Sequence, residues 1–286
     1  MNNLRYFFQY LLILPFFIFF KLVGLNSASY ISGKLFELIG PFFRSKKIIH
    51  SNIAKAFPNE DLKFKKKITS EMWNNYGRVF AEYIFIKNYR NNLFTSHIKL
   101  EGHQILDDIK KKNKPVIFIS GHFSNFELMA MTIEKLGIKL AAIYRPLNNK
   151  YINKLMEKIR INHICKYQIK KGVSGLRELI KLNKEGFSTA LMIDQRVSQG
   201  IKLDFFNHKA YTTTIPAQLN KKYGYSVVPL FIERYNGVKF KISIHKPIEF
   251  SKDSSQEEIS AKLNGELEKM ILYKPGHWIW SHNRWK

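Results

Sequence analysis

The segment 116–131, VIFISGHFSNFELMAM, carries two side chains that are suited to acid–base chemistry. The imidazole of His122 titrates near neutral pH and can take a proton from a hydroxyl. A carboxylate at Glu127 could fix the tautomer of that imidazole and stabilise its protonated form, as the third group of a hydrolase triad does. No serine or cysteine stands in a G-x-S-x-G elbow, so the predicted nucleophile is the substrate's own hydroxyl.

The same stretch has a structural alternative. Ser124 at an N-cap and Glu127 three residues later form a capping-box pattern in front of an apolar run. This pattern explains the serine and the glutamate without chemistry, whereas His122 would then be a polar loop residue. Both interpretations stay open, because a capped Glu127 in the first helical turn could also lie close to a histidine at the end of a strand.

Three β-like runs each end in polar or charged residues. VIFIS is followed by Gly121 and His122, LAAIY by Arg145, and ALMI by Asp194, Gln195 and Arg196. In open α/β sheets, ligands bind outside the carboxyl ends of the strands, so these residues are expected to share one site. The alternatives are a surface cation for Arg145 and a turn residue for Asp194.

The elements that must position these residues follow from the hydrophobic pattern. After about residue 98, short β-rich runs alternate with helical patterns, which predicts βαβ units and an α/β fold with a mainly parallel sheet flanked by helices. Asn236-Gly237 between two late β runs predicts a hairpin, so the sheet should be mixed. Residues from about 28 to 94 show mostly helical spacing, and a helix near 256–272 precedes an aromatic tail.

The N-terminal segment 6–25 is almost wholly apolar and only just long enough to cross a bilayer as a helix. Pro15 is expected to kink it. The alternatives to a membrane anchor are a shallow helix packed partly on the catalytic domain and a cleaved signal peptide. The predicted division is an anchor helix at 1–25 and a main domain at 26–286, with a helical part at about 26–97 and an α/β catalytic part at about 98–286.

The chain carries 47 Lys and Arg residues against 22 Asp and Glu, a formal charge of +25. This imbalance implies an anionic partner. Nucleic acid is not expected, because no helix-turn-helix, zinc-finger or ribonucleoprotein aromatic signature is present. A basic body joined to an apolar segment favours anionic membrane lipid, and the Lys and Arg residues that follow the segment favour a cytoplasmic body.

Cysteine usage excludes two further classes. Cys165 is the single cysteine, so no internal disulfide can form, and the C-x-x-C pattern of metal sites is absent. The thiol is predicted to pack as a small apolar group, and no metal is expected in the site.

Six blocks occur in order along the chain: GHFSNFE, IYRPLNN, MIDQR, DFFNHKAYTT, VVPLF and HWIWSHNRWK. In order and spacing they resemble the late acyltransferases of lipid A biosynthesis, the lauroyl and myristoyl transferases of the Gram-negative inner membrane. One H-x-x-x-x-E motif is common, but six ordered blocks are specific. The family usually has F-F-G where this chain has Phe205-Phe206-Asn207, and asparagine partly tolerates the backbone angles that glycine permits.

The resemblance implies a glycerolipid-acyltransferase-like fold in an inner-membrane protein with a cytoplasmic catalytic domain. It implies transfer of a fatty acyl chain from acyl carrier protein to a hydroxyl of an acyl chain on a phosphorylated, Kdo-bearing lipid A precursor. The acyl thioester is a co-substrate, and no other cofactor is expected. The acidic carrier protein, the phosphorylated acceptor and anionic membrane lipid are the expected partners, and a basic protein suits all three.

The resemblance also assigns roles to residues. His122 matches the family's catalytic histidine and Glu127 its partner carboxylate. The residues expected to bind substrate are Arg145, Asp194 and Gln195, which match family blocks, together with Asn125 and Arg196 beside them.

The expected mechanism has His122 deprotonate the acceptor hydroxyl while Glu127 orients the imidazole. N–H groups of the helix after Ser124, or Arg145, would stabilise the tetrahedral oxyanion. One rival is the same chemistry on a lysophospholipid, an ornithine lipid or a glycolipid without Kdo. The other is a non-catalytic basic membrane protein that binds anionic lipid or nucleic acid.

Overall fold

The computed structural model describes residues 2–92 and 95–286. This part of the chain contains ten α-helices: α1 (Asn2–Ile39), α2 (Lys46–Ala56), α3 (Leu62–Glu82), α4 (Ile86–Arg90), α5 (His103–Lys112), α6 (Glu127–Lys135), α7 (Lys150–His163), α8 (Val173–Lys184), α9 (Ile215–Tyr223) and α10 (Gln256–Tyr273). Its nine strands are β1 (Ile98–Glu101), β2 (Ile117–Ser120), β3 (Leu140–Tyr144), β4 (Tyr167–Lys170), β5 (Ser188–Met192), β6 (Ile201–Phe205), β7 (His208–Thr212), β8 (Val227–Asn236) and β9 (Lys239–Ile244).

Seven strands form one sheet in the order β1-β9-β8-β2-β5-β3-β4. Every neighbouring pair is parallel except β8 with β9. Helices α6, α7 and α8 each connect two strands of this sheet, as βαβ units require. The predicted mixed, mainly parallel α/β fold is therefore confirmed.

The centre of the sheet is apolar on both faces. All four residues of β2 are buried, which explains why this strand reads as a continuous apolar run and not as an alternating one. Cys165 is buried next to the sheet, as predicted, and burial raises the pKa of its thiol to about 11.

The predicted hairpin is present, and the structure adds a second one. β8 and β9 pair antiparallel around Asn236-Gly237, and Gly237 has a φ of 55°. β6 and β7 form a separate two-stranded hairpin whose turn residues, Phe206 and Asn207, have φ values of 52° and 58°. Asn207 thus adopts the left-handed backbone angle that a glycine would favour at this position.

The N-terminal region is helical, as the spacing predicts, in α1 to α4. Residues 1, 93 and 94, which belong to the predicted anchor and the predicted helical part, lie outside the described residues. The break in α1 falls at Gly24, with φ 79° and ψ 167°, whereas Pro15 keeps helical angles. The helical hydrogen-bonding pattern thus runs through Pro15, and the kink expected there stays a prediction. The division of the chain into anchor and domain stays a prediction.

The second half of α1 packs closely on α3. Ser32 Oγ donates to the carbonyl of Gly77 at 2.6 Å, and a Cβ placed on Gly77 would lie 2.1 Å from the carbonyl oxygen of Ser32. Only glycine permits this approach of the two backbones.

The first half of α1 also contacts the body. Phe17 packs on Phe80 of α3, with ring centroids 5.2 Å apart, and near the N-terminus Tyr10 stacks on Tyr151 of α7 at 6.1 Å. Asn149 Nδ2 donates to the carbonyl of Tyr6 at 2.9 Å. The helix therefore lies against the catalytic body at both ends of its apolar segment, which matches the interpretation of a helix packed partly on the domain.

The opposite face of this helix carries a stripe of exposed large apolar residues: Leu4, Phe8, Leu11, Leu12, Phe16, Ile18, Phe19 and Leu22. By length and composition α1 is a candidate membrane span. An exposed stripe of this size indicates contact with lipid or another apolar surface.

Candidate active site

His122 lies two residues beyond the end of β2, in the turn that leads to α6. β5 is the parallel neighbour of β2, and their register pairs Ser120 with Met192. Asp194 therefore lies two residues beyond β5, at the same height as His122. This register brings the two residues together.

Asp194 binds His122 twice. Its Oδ1 lies 2.7 Å from His122 Nδ1, and its Oδ2 accepts the backbone N–H of His122 at 2.7 Å. Trp278, in the C-terminal tail, donates its indole N–H to the same Oδ2 at 2.9 Å. Asp194 is completely buried, and the side chain of His122 is 21% exposed. The imidazole is thus fixed through Nδ1, and Nε2 is the nitrogen available to a substrate.

The two charges tune each other. Burial by itself lowers the pKa of His122, but the Asp194 carboxylate outweighs burial and raises it above the ordinary value. Burial raises the pKa of Asp194, but His122 and the hydrogen bonds to the carboxylate outweigh it and lower that pKa. Asp194 therefore stays ionised and favours a proton on the imidazole, as the orienting carboxylate of a triad does.

The expected hydrogen bond between Glu127 and His122 is not present. Glu127 lies in the first turn of α6, and its Oε1 accepts from Arg160 of α7, at 2.9 Å from Nε and 2.5 Å from Nη2. Both side chains are nearly buried. Burial lowers the pKa of Arg160, but Glu127 outweighs it and raises that pKa. Asp194 takes the role of imidazole partner that was predicted for Glu127. The register of β2 and β5 places the residue just after β5 beside the His122 ring.

The capping-box interpretation is also wrong. α6 begins at Glu127 without a side-chain cap, and Ser124 has a φ of 43°. Ser124 Oγ accepts the backbone N–H of Arg234 at 3.2 Å and lies 3.0 Å from Nδ1 of His277. Burial lowers the pKa of His277 to about 4, so its neutral ring shares one proton with the Ser124 hydroxyl in this hydrogen bond. The serine anchors the catalytic turn to β8 and to the C-terminal tail.

Asn125 does not face the imidazole through its amide group. It is completely buried, and its Nδ2 donates to Glu82 Oε2 at 3.1 Å. Glu82, also completely buried, pairs with Arg234 and accepts the hydroxyl of Ser29 at 2.7 Å. The side chain of Asn125 thus ties the catalytic turn to α3 and α1, and its predicted contact with substrate stays a prediction.

The remaining predicted residues lie at the expected strand ends but are not brought into one cluster. Arg145 is exposed after β3 and makes no ion pair within the described ranges. Gln195 is partly buried beside Asp194. The guanidinium of Arg196 lies over the ring of Tyr211 at 5.4 Å, and its backbone N–H donates to His282. Their contacts with substrate stay predictions.

Sequence reasoning missed four contributors to the site: Arg160, Arg234, His277 and Trp278. Arg160 lies in an amphipathic helix that gives no chemical signal. The other three lie in a late strand and an aromatic tail that pack against the turn only after the chain has folded. The mixture of histidine and tryptophan in the tail was the one available signal. No group of three or more His, Cys, Asp or Glu residues suited to a metal occurs in the described part of the chain.

Comparison with known proteins places this chain in a family. The sequence matches the family described as bacterial lipid A biosynthesis acyltransferase over residues 1–286. It is 22% identical over 254 residues to the lipid A biosynthesis myristoyltransferase of Escherichia coli, covering 87% of this chain and 76% of that one. The lauroyltransferase of the same organism is 25% identical over 250 residues, covering 85% and 79%.

A lipid A biosynthesis acyltransferase of Haemophilus influenzae is 22% identical over 259 residues, covering 89% of this chain and 81% of that one. Among solved structures, the 1-acyl-sn-glycerophosphate acyltransferase of Thermotoga maritima aligns with a TM-score of 0.44 and 17% identity, covering 89% of this chain and 96% of that one. The family match extends over the whole chain and includes the histidine turn, so this protein belongs to the bacterial lipid A biosynthesis acyltransferase family and is an acyltransferase.

Proposed function

We propose that this enzyme transfers a fatty acyl chain from acyl carrier protein to a hydroxyl of an acyl chain on a phosphorylated lipid A precursor. His122 is the general base. The observation that carries the proposal is the hydrogen bond of 2.7 Å between His122 Nδ1 and the buried Asp194, which leaves Nε2 to receive the hydroxyl proton.

The reaction is an acyl transfer without an enzyme nucleophile. His122 Nε2 takes the proton as the acceptor oxygen attacks the thioester carbonyl. The tetrahedral intermediate then collapses, the C–S bond breaks, and the imidazolium returns the proton to the departing thiolate. Asp194 stabilises the imidazolium between these two steps. The products are an ester on the acceptor and the free thiol of the carrier.

The oxyanion requires donors close to His122. The backbone N–H groups of Asn125 and Phe126 precede α6 and have no acceptor among the described hydrogen bonds. They lie within four residues of the imidazole and are the donors that we assign to the oxyanion. Arg145 is the alternative donor, in a loop that would have to close over the substrate.

Charge and polarity support the proposed partners and location. A formal charge of +25 suits an acidic carrier protein, a phosphorylated acceptor and anionic lipid. The exposed apolar face of α1 suits a bilayer. We assign the enzyme to the inner membrane with the catalytic body in the cytoplasm, where acyl carrier protein is available.

An in vitro assay tests the proposal. Purified full-length protein in detergent is given acyl carrier protein thioesters of different chain lengths and a panel of acceptors, and the products are read by mass. The panel contains a Kdo-bearing lipid A precursor, the same precursor without Kdo, a lysophospholipid and an ornithine lipid. We expect acylation of the lipid A precursor by the parent and none by His122→Ala. A folded His122→Ala protein with near-parent activity would refute the mechanism, and preferential acylation of another lipid would refute the acceptor.

A further inference from the structure

A polar cavity of about 490 Å³ lies beside the catalytic turn, between the second half of α1, α3 and the C-terminal tail. Its volume is in the range of small-molecule sites. His277 forms part of its wall and also holds the turn, since its carbonyl accepts the backbone N–H of Ser124 at 3.2 Å. The cavity is therefore next to the catalytic turn and separate from the His122–Asp194 pair.

The walls of the cavity carry an excess of positive charge. They present four cationic side chains against two carboxylates: Lys34, Arg78, Arg234 and Lys274 against Glu37 and Glu71. Three of the cations already have carboxylate partners. Lys34 pairs with Glu37 at 3.0 Å, Arg234 pairs with Glu82, and Lys274 pairs with Glu233 at 3.4 Å.

Arg78 is the exception. It is half-buried, and no carboxylate lies within ion-pair distance of it in the described residues. Its Nε donates to Asn74 Oδ1 at 2.7 Å and its Nη1 to Ser29 Oγ at 3.2 Å, and both acceptors are neutral. Burial and the neighbouring Arg234 lower the pKa of Arg78, and they outweigh the opposing effect of the more distant Glu82 and Glu37. The side chain is thus held in place while its charge remains unpaired.

Neither carboxylate of the wall forms an ion pair with Arg78. Glu37 is fully engaged, since it accepts from Ser70 at 2.5 Å and from Asn74 at 3.1 Å in addition to its pair with Lys34. Glu71 is half-exposed and lies 3.9 Å from Lys67 outside the cavity.

The cavity also adjoins an apolar surface. The segment of α1 that supplies Lys34 and Glu37 continues into Leu38, Phe42 and Phe43, which are among the most exposed apolar residues of the chain. A ligand that enters here would place a charged group in the cavity and apolar groups on this surface. A phosphorylated glycolipid has that distribution of polarity.

We propose that this cavity binds a phosphate group of the acceptor glycolipid and that Arg78 is its principal ligand. The inference rests on the proposed function for the identity of the acceptor. A guanidinium binds phosphate through two parallel hydrogen bonds, and Arg78 is the one cation of the wall without a carboxylate partner among the described residues. The phosphate thereby fixes the acceptor on the α1–α3 side of the turn, with its acyl hydroxyl directed to His122.

The test compares a phosphorylated lipid A precursor with the same lipid after phosphatase treatment. For the parent we expect kcat/KM to be about 10- to 100-fold higher with the phosphorylated acceptor, the range of one charged hydrogen-bonded contact. Arg78→Gln keeps donors for Asn74 and Ser29 but loses the charge. It should lose this preference, mainly through a higher KM for the phosphorylated acceptor.

Two variants serve as controls. Arg177→Gln removes an exposed arginine of α8 and should keep the preference. Arg78→Lys keeps the positive charge but lacks the planar guanidinium. It should retain part of the preference for the phosphorylated acceptor. A folded Arg78→Gln protein with the parent's preference for the phosphorylated acceptor would overturn the inference.

Failure of the proposed function has a different signature. In that case the parent protein acylates neither acceptor. Binding of inorganic phosphate, measured by ³¹P line broadening, then tests whether the cavity is an anion site. Binding by the parent that is lost in Arg78→Gln supports the anion site. Equal binding by both proteins, or none by the parent, overturns it.

Discussion

Asp194 accepts two hydrogen bonds from one residue, His122, through Nδ1 and through the backbone N–H, both at 2.7 Å. The side-chain bond selects the tautomer, and the backbone bond fixes the turn that carries the ring. The carboxylate thus sets both the orientation and the position of the base. Because it is buried and ionised, it also raises the pKa of the imidazole.

Asp194→Asn should remove the charge and keep the shape. We expect kcat to fall by about 10³- to 10⁴-fold, as in triads that lose the orienting carboxylate. Burial alone lowers the pKa of His122, so the residual activity should persist to lower pH than in the parent, whose activity falls as pH drops below the raised pKa. The pH profiles of kcat/KM check this shift. Identical acid limbs in the two proteins would mean that His122 does not act as the base.

Glu127→Gln should leave the nearly buried Arg160 without its counter-charge. Breaking one partner of such a pair costs about 3–5 kcal/mol of unfolding free energy. In Glu127→Gln/Arg160→Met no unpaired charge remains, and most of that stability should return. Urea unfolding of the four proteins in a double-mutant cycle measures the coupling. Additive losses would contradict the contact at 2.5 Å.

His277 should make stability depend on acid pH. Its folded-state pKa is lowered by burial to about 4, below the ordinary value of 6.5. The unfolded chain therefore binds the extra proton first, so this contribution is complete above pH 6.5 and is lost as pH falls towards 4. It amounts to about 3 kcal/mol at most. His277→Asn, which keeps a hydrogen-bonding partner for Ser124, should flatten the pH dependence of unfolding in this window. An unchanged slope would show that His277 does not titrate this way.

Asn149 should control the docking of the first half of α1. Its Oδ1 caps α7 by accepting from the backbone N–H groups of Tyr151 and Ile152, and its Nδ2 binds the carbonyl of Tyr6. Asn149→Asp keeps the cap and loses the donor, whereas Asn149→Ala loses both. Hydrogen exchange in residues 3–23 should rise in both variants, and only the alanine variant should lose about 1 kcal/mol through the cap. Unchanged exchange in both would show that α1 does not depend on this contact.

Gly77→Ala should separate α1 from α3, because the new Cβ would lie 2.1 Å from the Ser32 carbonyl oxygen. We expect a loss of about 2 kcal/mol or more, as for overpacking in a close contact. The matched control is Gly265→Ala in α10, where no atom lies within 4 Å and the better helix propensity should add about 0.5–1 kcal/mol. Thermal unfolding measures the change in stability of each variant. We expect a lower Tm for Gly77→Ala and a higher Tm for Gly265→Ala.

The sequence by itself determined the fold class and the place of the site. Alternating β and helical runs predicted the mixed parallel sheet, because buried parallel strands require continuous apolar runs and crossover helices. The same runs marked the polar residues after their carboxyl ends, including His122 and Asp194. Asn236-Gly237 predicted its hairpin, because few residue pairs tolerate positive φ angles.

Tertiary structure alone decided which of these residues meet. Two strands and three helices separate β2 from β5 along the chain, so only the order of strands in the sheet brings Asp194 to His122 and leaves Glu127 for Arg160. Spacing along the chain favoured Glu127 as the partner of His122, because the two residues are only five positions apart. A parallel sheet instead aligns residues from segments that are distant in sequence. The sequence contains 47 Lys and Arg residues and does not indicate which of them lack an ion-pair partner. Only tertiary packing determines that Arg78 forms no ion pair with a carboxylate of the described chain.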